Sequence, residues 1–208
     1  MADFYQAQQF VKGREGGYQD MPEDTGNYTS GQLIGTNWGI SADTLATHYG
    51  YTPSKQQMMD LEYQTALHIY KTRYWDRIDG DNIKNQSVAL LIYDGAVNQG
   101  VGAMRSVVSK ALTENGVNAT TSNVFTAPLT RELNKLDQES IFNSIWKGRE
   151  GRYMSGSARF RQGHLNRINK IKFEKRRKKT ALIIGISLVS LALLGVGYII
   201  YATLPTDK

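Results

Sequence analysis

The stretch "GREGGYQDMPED", residues 13–24, carries a carboxylate, Glu15, just before two glycines, and a second acidic cluster within the next loop. Phe4, Ala7, Phe10 and Val11 recur on one helical face upstream, with Asp3 placed to cap that helix and Gly16–Gly17 placed to stop it. Glu15 is therefore expected in the last helical turn, where unsatisfied carbonyls carry about half a negative charge. That field, with partial burial beside Phe10, Val11 or Tyr18, would push its pKa upward, as a general acid near neutral pH requires. Taken alone, Glu15 reads first as a solvated helix-end acid. Asp24, nine residues on, adds a partner. Glycosidic bond cleavage needs one acid to protonate the leaving oxygen and one carboxylate to steady the oxocarbenium-like charge or activate water. Asp20 and Glu23 compete for the second role, and spacing alone does not choose among the three.

Other chemistries are set aside. Cysteine is absent, which removes disulfides, thiolate zinc ligands and a thiol nucleophile. His48, His68 and His164 are scattered without HExxH spacing, and neither a GxSxG elbow nor a phosphate-binding Walker loop occurs. Neither a metal nor a cofactor is expected.

The elements that must hold the two acids are mostly helical. Residues 17–40 mix Gly, Pro22, Asn, Asp, Ser and Thr, a composition of loops with a short hairpin. "SADTLATHYG" reads as a helix capped by Ser41 or Asp43 and stopped by Gly50. "TPSKQQMMDLEYQTALHIYKTRYW" reads as one helix opened by Thr52–Pro53, with Met59, Tyr63, Ala66, Tyr70 and Tyr74 as a core stripe. "SVALLIYDGAVNQGVGAMRSVVSKAL" gives two helical runs broken around Gly100 and Gly102. "APLTRELNKLDQESIFNSIWKGREGRYM" gives one long helix with Leu133, Leu136, Ile141 and Ile145 inward.

The chain also resembles a known family. "EGGY" at Glu15–Tyr18, Asp24 followed by Gly26, and "TNWGIS" at Thr36–Ser41 are similar to the signature of glycoside hydrolase family 108, peptidoglycan N-acetylmuramidases. "IYKTRYW", "YDGAVNQGVGAM" and "ARFRQGHLNRI" resemble the peptidoglycan-binding region that follows this catalytic segment. The resemblance implies a mainly α, lysozyme-like helical domain with a small loop and β-hairpin lobe. It implies Glu15, Asp24 and Thr36 as catalytic residues, with Thr29 the competitor for the third position. Residues 1–90 would form the catalytic region and 91–170 the binding region, packed as one domain. Tyr18 and Asn98 are candidate substrate contacts, although Tyr18 could simply pack, and Asp94 and Asn98 could satisfy buried backbone groups. The family's usual D-x-G-G-x-T becomes "DTGNYT" here, and His164 stands where Trp is common. Carboxyl separations of about 6.5–9.5 Å would predict inversion and about 5–5.5 Å retention.

The charge is concentrated at the C-terminal end. Residues 1–166 hold 16 Lys and Arg against 17 Asp and Glu, whereas "RINKIKFEKRRKK" at 167–179 holds eight basic residues and one acid. So short a basic segment makes nucleic-acid binding the weaker alternative. It leads through residues 171–180 into "ALIIGISLVSLALLGVGYIIYATL" at 181–204, long enough for a transmembrane helix at about 36 Å. The positive-inside rule orients the N-terminal domain toward the cytoplasm of a bacterial inner membrane, as a single-pass, tail-anchored protein. The combined expectation is a membrane-anchored endolysin acting on peptidoglycan glycan strands. Either a partner such as a holin opens its path to the wall, or the anchor leaves or reorients. The alternatives are a wall-remodelling muramidase of a secretion system and a non-catalytic wall-binding or membrane-disrupting protein.

Overall fold

Phe4, Ala7 and Val11 form the buried face of the first helix, α1 (Phe4–Lys12), and Asp3 caps it by accepting from Gln6 N at 2.7 Å. The structure is a computed structural model that describes residues 1–12 and 17–175. Glu15, the basic run beyond Lys175 and the predicted span at 181–204 lie outside the described residues.

The polar lobe that follows contains a short 3₁₀ turn at Thr25–Asn27 and a two-stranded antiparallel hairpin, β1 (Tyr28–Thr29) and β2 (Gln32–Leu33). Its turn residues, Ser30 and Gly31, both have positive φ, the geometry that matches strand twist in a two-residue hairpin. Ser41 then caps α2 (Ala42–Tyr49), and Gly50 ends it in the left-handed conformation, as the sequence predicts.

The segment read as one helix from Thr52 to Trp75 divides. Ser54, not Thr52, opens α3 (Lys55–Met59) through a reciprocal capping box with Gln57. The chain breaks at Asp60–Glu62, where Leu61 turns into the core, and resumes as α4 (Tyr63–Tyr70), continued by a π-type turn at Lys71–Trp75. Of the predicted stripe, Ala66 and Tyr70 are buried, but Met59 is 46% exposed because it sits at the break. The long C-terminal helix likewise divides into α7 (Ala127–Leu133) and α8 (Gln138–Ser155). Asn134 leaves the helix to accept from Lys84 N and donate to Asn82 O, and Asp137 caps the new start at Ser140 N.

The centre of the core is α5 (Gln86–Gln99). Nine of its residues from Ser87 to Ala96 are buried around its circumference, which explains why its apolar pattern lacks a single face. It packs against α1, α6 (Val101–Glu114) and α8, and Gly100 alone makes the bend into α6, with Gly102 inside that helix. Phe4, Trp75 and Tyr93 meet edge to face at 5.5–5.9 Å beneath it. A Cβ on Gly148 of α8 would stand 2.9 Å from Val107, so α6 and α8 approach closely there. α9 (Ala158–Ile168) completes the bundle against α8. Residues Met1–Glu174 form one compact unit, and α5 runs unbroken across position 90. Among the described residues no helix is long and apolar enough to cross a membrane.

Two contacts set the direction of α1. Asp3 and Gln86 exchange hydrogen bonds at 2.6 and 3.0 Å, and the Tyr93 hydroxyl donates to Gln8 one helical stretch further on. Thus α1 and α5 run side by side in the same direction. Lys12 and Gln99 finish at the same end of the pair, the end from which the chain continues toward Glu15.

Candidate active site

Gln19 ties together two of the three predicted catalytic positions. Its backbone pairs with Thr36 in both directions, at 2.9 and 2.8 Å. Its side-chain amide donates to Asp24 Oδ2 at 3.1 Å and to Asn27 Oδ1 at 2.9 Å, while its Oε1 accepts from Asn27 Nδ2 and Met21 N. Asp24 also caps the 3₁₀ turn, accepting from Gly26 N at 2.9 Å. Each carboxylate oxygen therefore has one protein donor and open lone pairs, and the residue is exposed. No cation neutralises Asp24 among the described residues. Its negative charge stays available to a developing positive centre or to a water.

Thr36 is half-buried, and its hydroxyl has no hydrogen-bond partner among the described residues. Thr29, the alternative, is 7% exposed within β1. The competing acids are also differentiated. Asp20 is held by Lys55 at 2.5 Å, which lowers its pKa, whereas Glu23 is exposed.

Tyr18 packs against the lobe it precedes. Its hydroxyl donates to Ile34 O at 3.1 Å, and its ring lies under Gly35, where an added Cβ would meet ring carbons at 2.6 Å and Gln19 O at 2.8 Å. Gly35 has φ of 97°, so it is fixed both by conformation and by this close approach. Burial, then the Asp20 charge, raises the Tyr18 pKa, and it stays a neutral phenol.

The "TNWGIS" stretch forms a tight reversal. Asn37 and Ile40 pair across Trp38 and Gly39, both at positive φ. Asn37 donates to the Met58 and Met59 carbonyls, Trp38 Nε1 donates to Leu61 O at 2.8 Å, and Tyr70 donates to Trp38 O. The break between α3 and α4 thus anchors the lobe, since its freed carbonyls are the acceptors. Trp38 lies edge-on to Tyr63 at 5.2 Å, and Lys12 Nζ sits 4.0 Å over the Tyr63 ring. This aromatic pair borders the end of α1.

Asn98 belongs to a different cluster, at the ends of α5, α8 and α9. It accepts from the Tyr153 hydroxyl at 2.7 Å, which in turn accepts from Arg149 at 2.9 Å. Arg149 and Asp94 are fully buried and paired at 2.8 Å, and Arg167 donates to the second Asp94 oxygen at 2.8 Å. The expected backbone role of Asp94 is thus replaced by a buried ion network. Arg149 also reaches backbone, donating to Leu91 O. His164 stacks on Tyr153 at 4.7 Å, and burial with the Arg167 and Arg149 charges lowers its pKa. Asn98, Tyr153, Phe160 and His164 line an open cleft of about 240 Å³. Among the described residues no group of three side chains is placed to hold a metal ion.

Residues 8–100 match the glycosyl hydrolase 108 family model. The match takes in the end of α1, the polar lobe with Asp24 and Thr36, and the chain through α5. It supports the resemblance carried by "EGGY" and "TNWGIS", and with it glycoside hydrolase chemistry. Twelve chains of solved structures match this fold. One is the structure of Brucella abortus SagA, 25% identical, with a TM-score of 0.68 over 81% of this chain and 90% of that chain. Curated protein sequences give no match.

Sequence reasoning missed Gln19 and Asn27, because an amide between two motifs has no chemical signature of its own. It also missed Arg149, Tyr153 and Arg167. A signal existed: Asp94 and Asn98 on α5, and Arg149 and Tyr153 on α8, are each spaced i, i+4 and so face a common partner.

Proposed function

We propose that this protein is a peptidoglycan N-acetylmuramidase in which Glu15, Asp24 and Thr36 carry the chemistry. Glu15 protonates the oxygen of the β-1,4 bond between N-acetylmuramic acid and N-acetylglucosamine as it breaks. Asp24 steadies the positive charge on the sugar ring or takes a proton from the attacking water, and the Thr36 hydroxyl orients that water. The observation that carries this reading is the Gln19 bridge. One residue fixes, on the same short lobe, a carboxylate and a hydroxyl that have no cation and no hydrogen-bond partner, respectively, among the described residues. Charge held in place before reaction is the largest common source of transition-state stabilisation. The parallel course of α1 and α5 brings the cleft beside Asn98 to the end of the molecule where α1 finishes, so that cleft is proposed to hold part of the wall polymer.

The test is Glu15→Gln in the full chain, with folding checked by circular dichroism and products read as muropeptides. Loss of a positioned general acid reduces rate by roughly 10²–10⁴-fold. New reducing muramic ends should appear with the wild type and vanish with the variant. Undiminished release by Glu15→Gln would overturn the assignment of the acid. No muramic ends from the wild type would overturn the activity and leave a wall-binding protein.

The membrane anchor at 181–204 and the endolysin role are part of the same proposal, supported by the uncharged run and the basic segment before it. Protease added to intact spheroplasts should spare residues 1–166 if the domain begins inside.

A further inference from the structure

A second charged feature begins at the far end of α2, which packs on the carboxylate lobe, and the proposed glycosidic chemistry assigns its residues no role. Thr47 and His48 at the end of α2, Thr72, Arg73 and Arg77 after α4, and Val101 at the start of α6 line an open cleft of about 600 Å³. None of these six side chains is acidic. Arg73 is half-buried and Arg77 exposed, and among the described residues neither guanidinium has a hydrogen-bond or ion-pair partner. Asp76, beside Arg77 in sequence, is paired to Lys71 at 2.5 Å, and Asp79, two residues on, accepts from the neutral Asn82 amide at 2.7 Å.

Further groups add to this positive surface. The His48 ring lies edge-on to His68 at 5.9 Å. Burial, then the charges of His68 and Arg73, lowers the His48 pKa, so His48 offers a neutral ring N–H rather than a further charge. α6 begins at Val101 after Gly100, with no side-chain cap, so its first N–H groups and the positive end of its dipole face the same region. By contrast, the Thr47 and Thr72 hydroxyls are committed to the Asp43 and His68 carbonyls, so the guanidiniums and imidazoles are the donors on offer.

We propose that this cleft is a binding site for a phosphate group, held between Arg73 and Arg77 with His48 and the α6 N-terminus completing its shell. One guanidinium suffices for a single carboxylate. Two guanidiniums with two imidazoles beside them match an anion that carries more than one negative charge and several acceptor oxygens. The cleft is open and wide, so the phosphate is free or is the terminal or bridging group of a larger molecule. This site stands independently of the muramidase reading.

The chain's three histidines make the test direct. His48 and His68 border the cleft, while His164 stacks on Tyr153 in the other cluster and serves as an internal reference. Inorganic phosphate is titrated into the full chain in non-ionic detergent at constant pH and ionic strength, with imidazole C–H resonances followed by NMR. The His48 and His68 signals should shift saturably while His164 stays still. The same titration of Arg73→Ala/Arg77→Ala, with its fold confirmed by the unchanged His164 resonance, should need at least about tenfold more phosphate, equivalent to about 1.4 kcal/mol. Should that variant lose its fold, Arg73→Gln and Arg77→Gln singly supply the comparison. Glycerophosphoglycerol, a soluble phosphodiester, then separates the sources. Preference for inorganic phosphate indicates a free ion or terminal monoester, and equal binding of the diester indicates a lipid headgroup or a phosphodiester polymer. A linear, unsaturated shift, equal movement of His164, or an unchanged titration in the variants would overturn the proposal.

Discussion

Two aspartates, Asp24 in the polar lobe and Asp94 in the helical bundle, are both fixed by side-chain partners, and they serve opposite ends. Asp24 is exposed, and among the described residues its donors are neutral, the Gln19 amide and the Gly26 N–H. Asp94 is fully buried and receives two guanidiniums. Neutral donors orient a carboxylate and leave its charge to act on something else. Paired cations consume that charge and make the carboxylate a structural tie between α5, α8 and α9. The same residue type is thereby divided between chemistry and architecture by the partners that surround it.

The sharpest way to break this contrast is Asp94→Ala. It leaves Arg149 buried and Arg167 nearly so without their shared counter-charge, and a broken buried pair costs about 3–5 kcal/mol. Urea unfolding should show the free energy of unfolding falling by that amount through a lower midpoint, with the slope unchanged. A loss below about 1 kcal/mol would show that the network does not tie the bundle together. Gly35→Ala follows. Its Cβ would collide with the Tyr18 ring and the Gln19 carbonyl at an unfavourable φ, a cost of about 2 kcal/mol. Because the displaced carbonyl belongs to the Gln19–Thr36 pairing, wall-degrading activity should fall together with stability.

Gln19→Ala loosens the lobe around Asp24. It removes one donor to Asp24 together with the side-chain links to Asn27 and Met21 N, while the backbone pairing with Thr36 remains. Misplacement of a catalytic group by a fraction of an ångström lowers turnover, here by roughly tenfold, with KM little changed. Rescue by Gln19→Asn would contradict the distance argument, since the shorter amide cannot span the same gap. Smaller again is Tyr18→Phe, which loses one hydrogen bond to Ile34 O and should cost about 1 kcal/mol in thermal unfolding. A large loss of substrate affinity in that variant would return Tyr18 to the sugar cleft.

The helices were legible where period and caps agree. α1, α2 and the α5–α6 bend follow from Asp3, Ser41, Gly50 and Gly100. The two overlong helices failed for a shared reason. Asp60–Glu62 and Asn134–Asp137 contain no Gly or Pro, and only tertiary demands on Leu61 and Asn134 break the chain there. In the site, Asp24 and Thr36 were recognisable from motif resemblance, yet Asp20, Glu23 and Asp24 look alike in sequence. What separates Asp20 from Asp24 is Lys55, which lies 35 positions away and reaches Asp20 alone.

That last distinction yields the smallest predicted effect, and its sign is definite. The Lys55 hydrogen bond holds the Asp20 pKa below 3.8, and Asp20 in turn raises Lys55 above 10.5. A depressed carboxylate contributes stability above its unfolded pKa and loses it as pH falls through the folded value. A raised amine contributes below its unfolded pKa and loses it as pH rises through the folded one. The pair should therefore leave stability flat between about pH 5 and 9 and act only outside that window. Both side chains are well exposed, at 39% and 52%, so solvent screening keeps the contribution small. Carboxylate NMR should place the Asp20 midpoint below 3.8 in the wild type and move it up in Lys55→Met, with unfolding at pH 7 unaltered. If Asp24 shifted in that variant while Asp20 did not, Lys55 would be neutralising the wrong acid, and the contrast between a committed Asp20 and an available Asp24 would collapse.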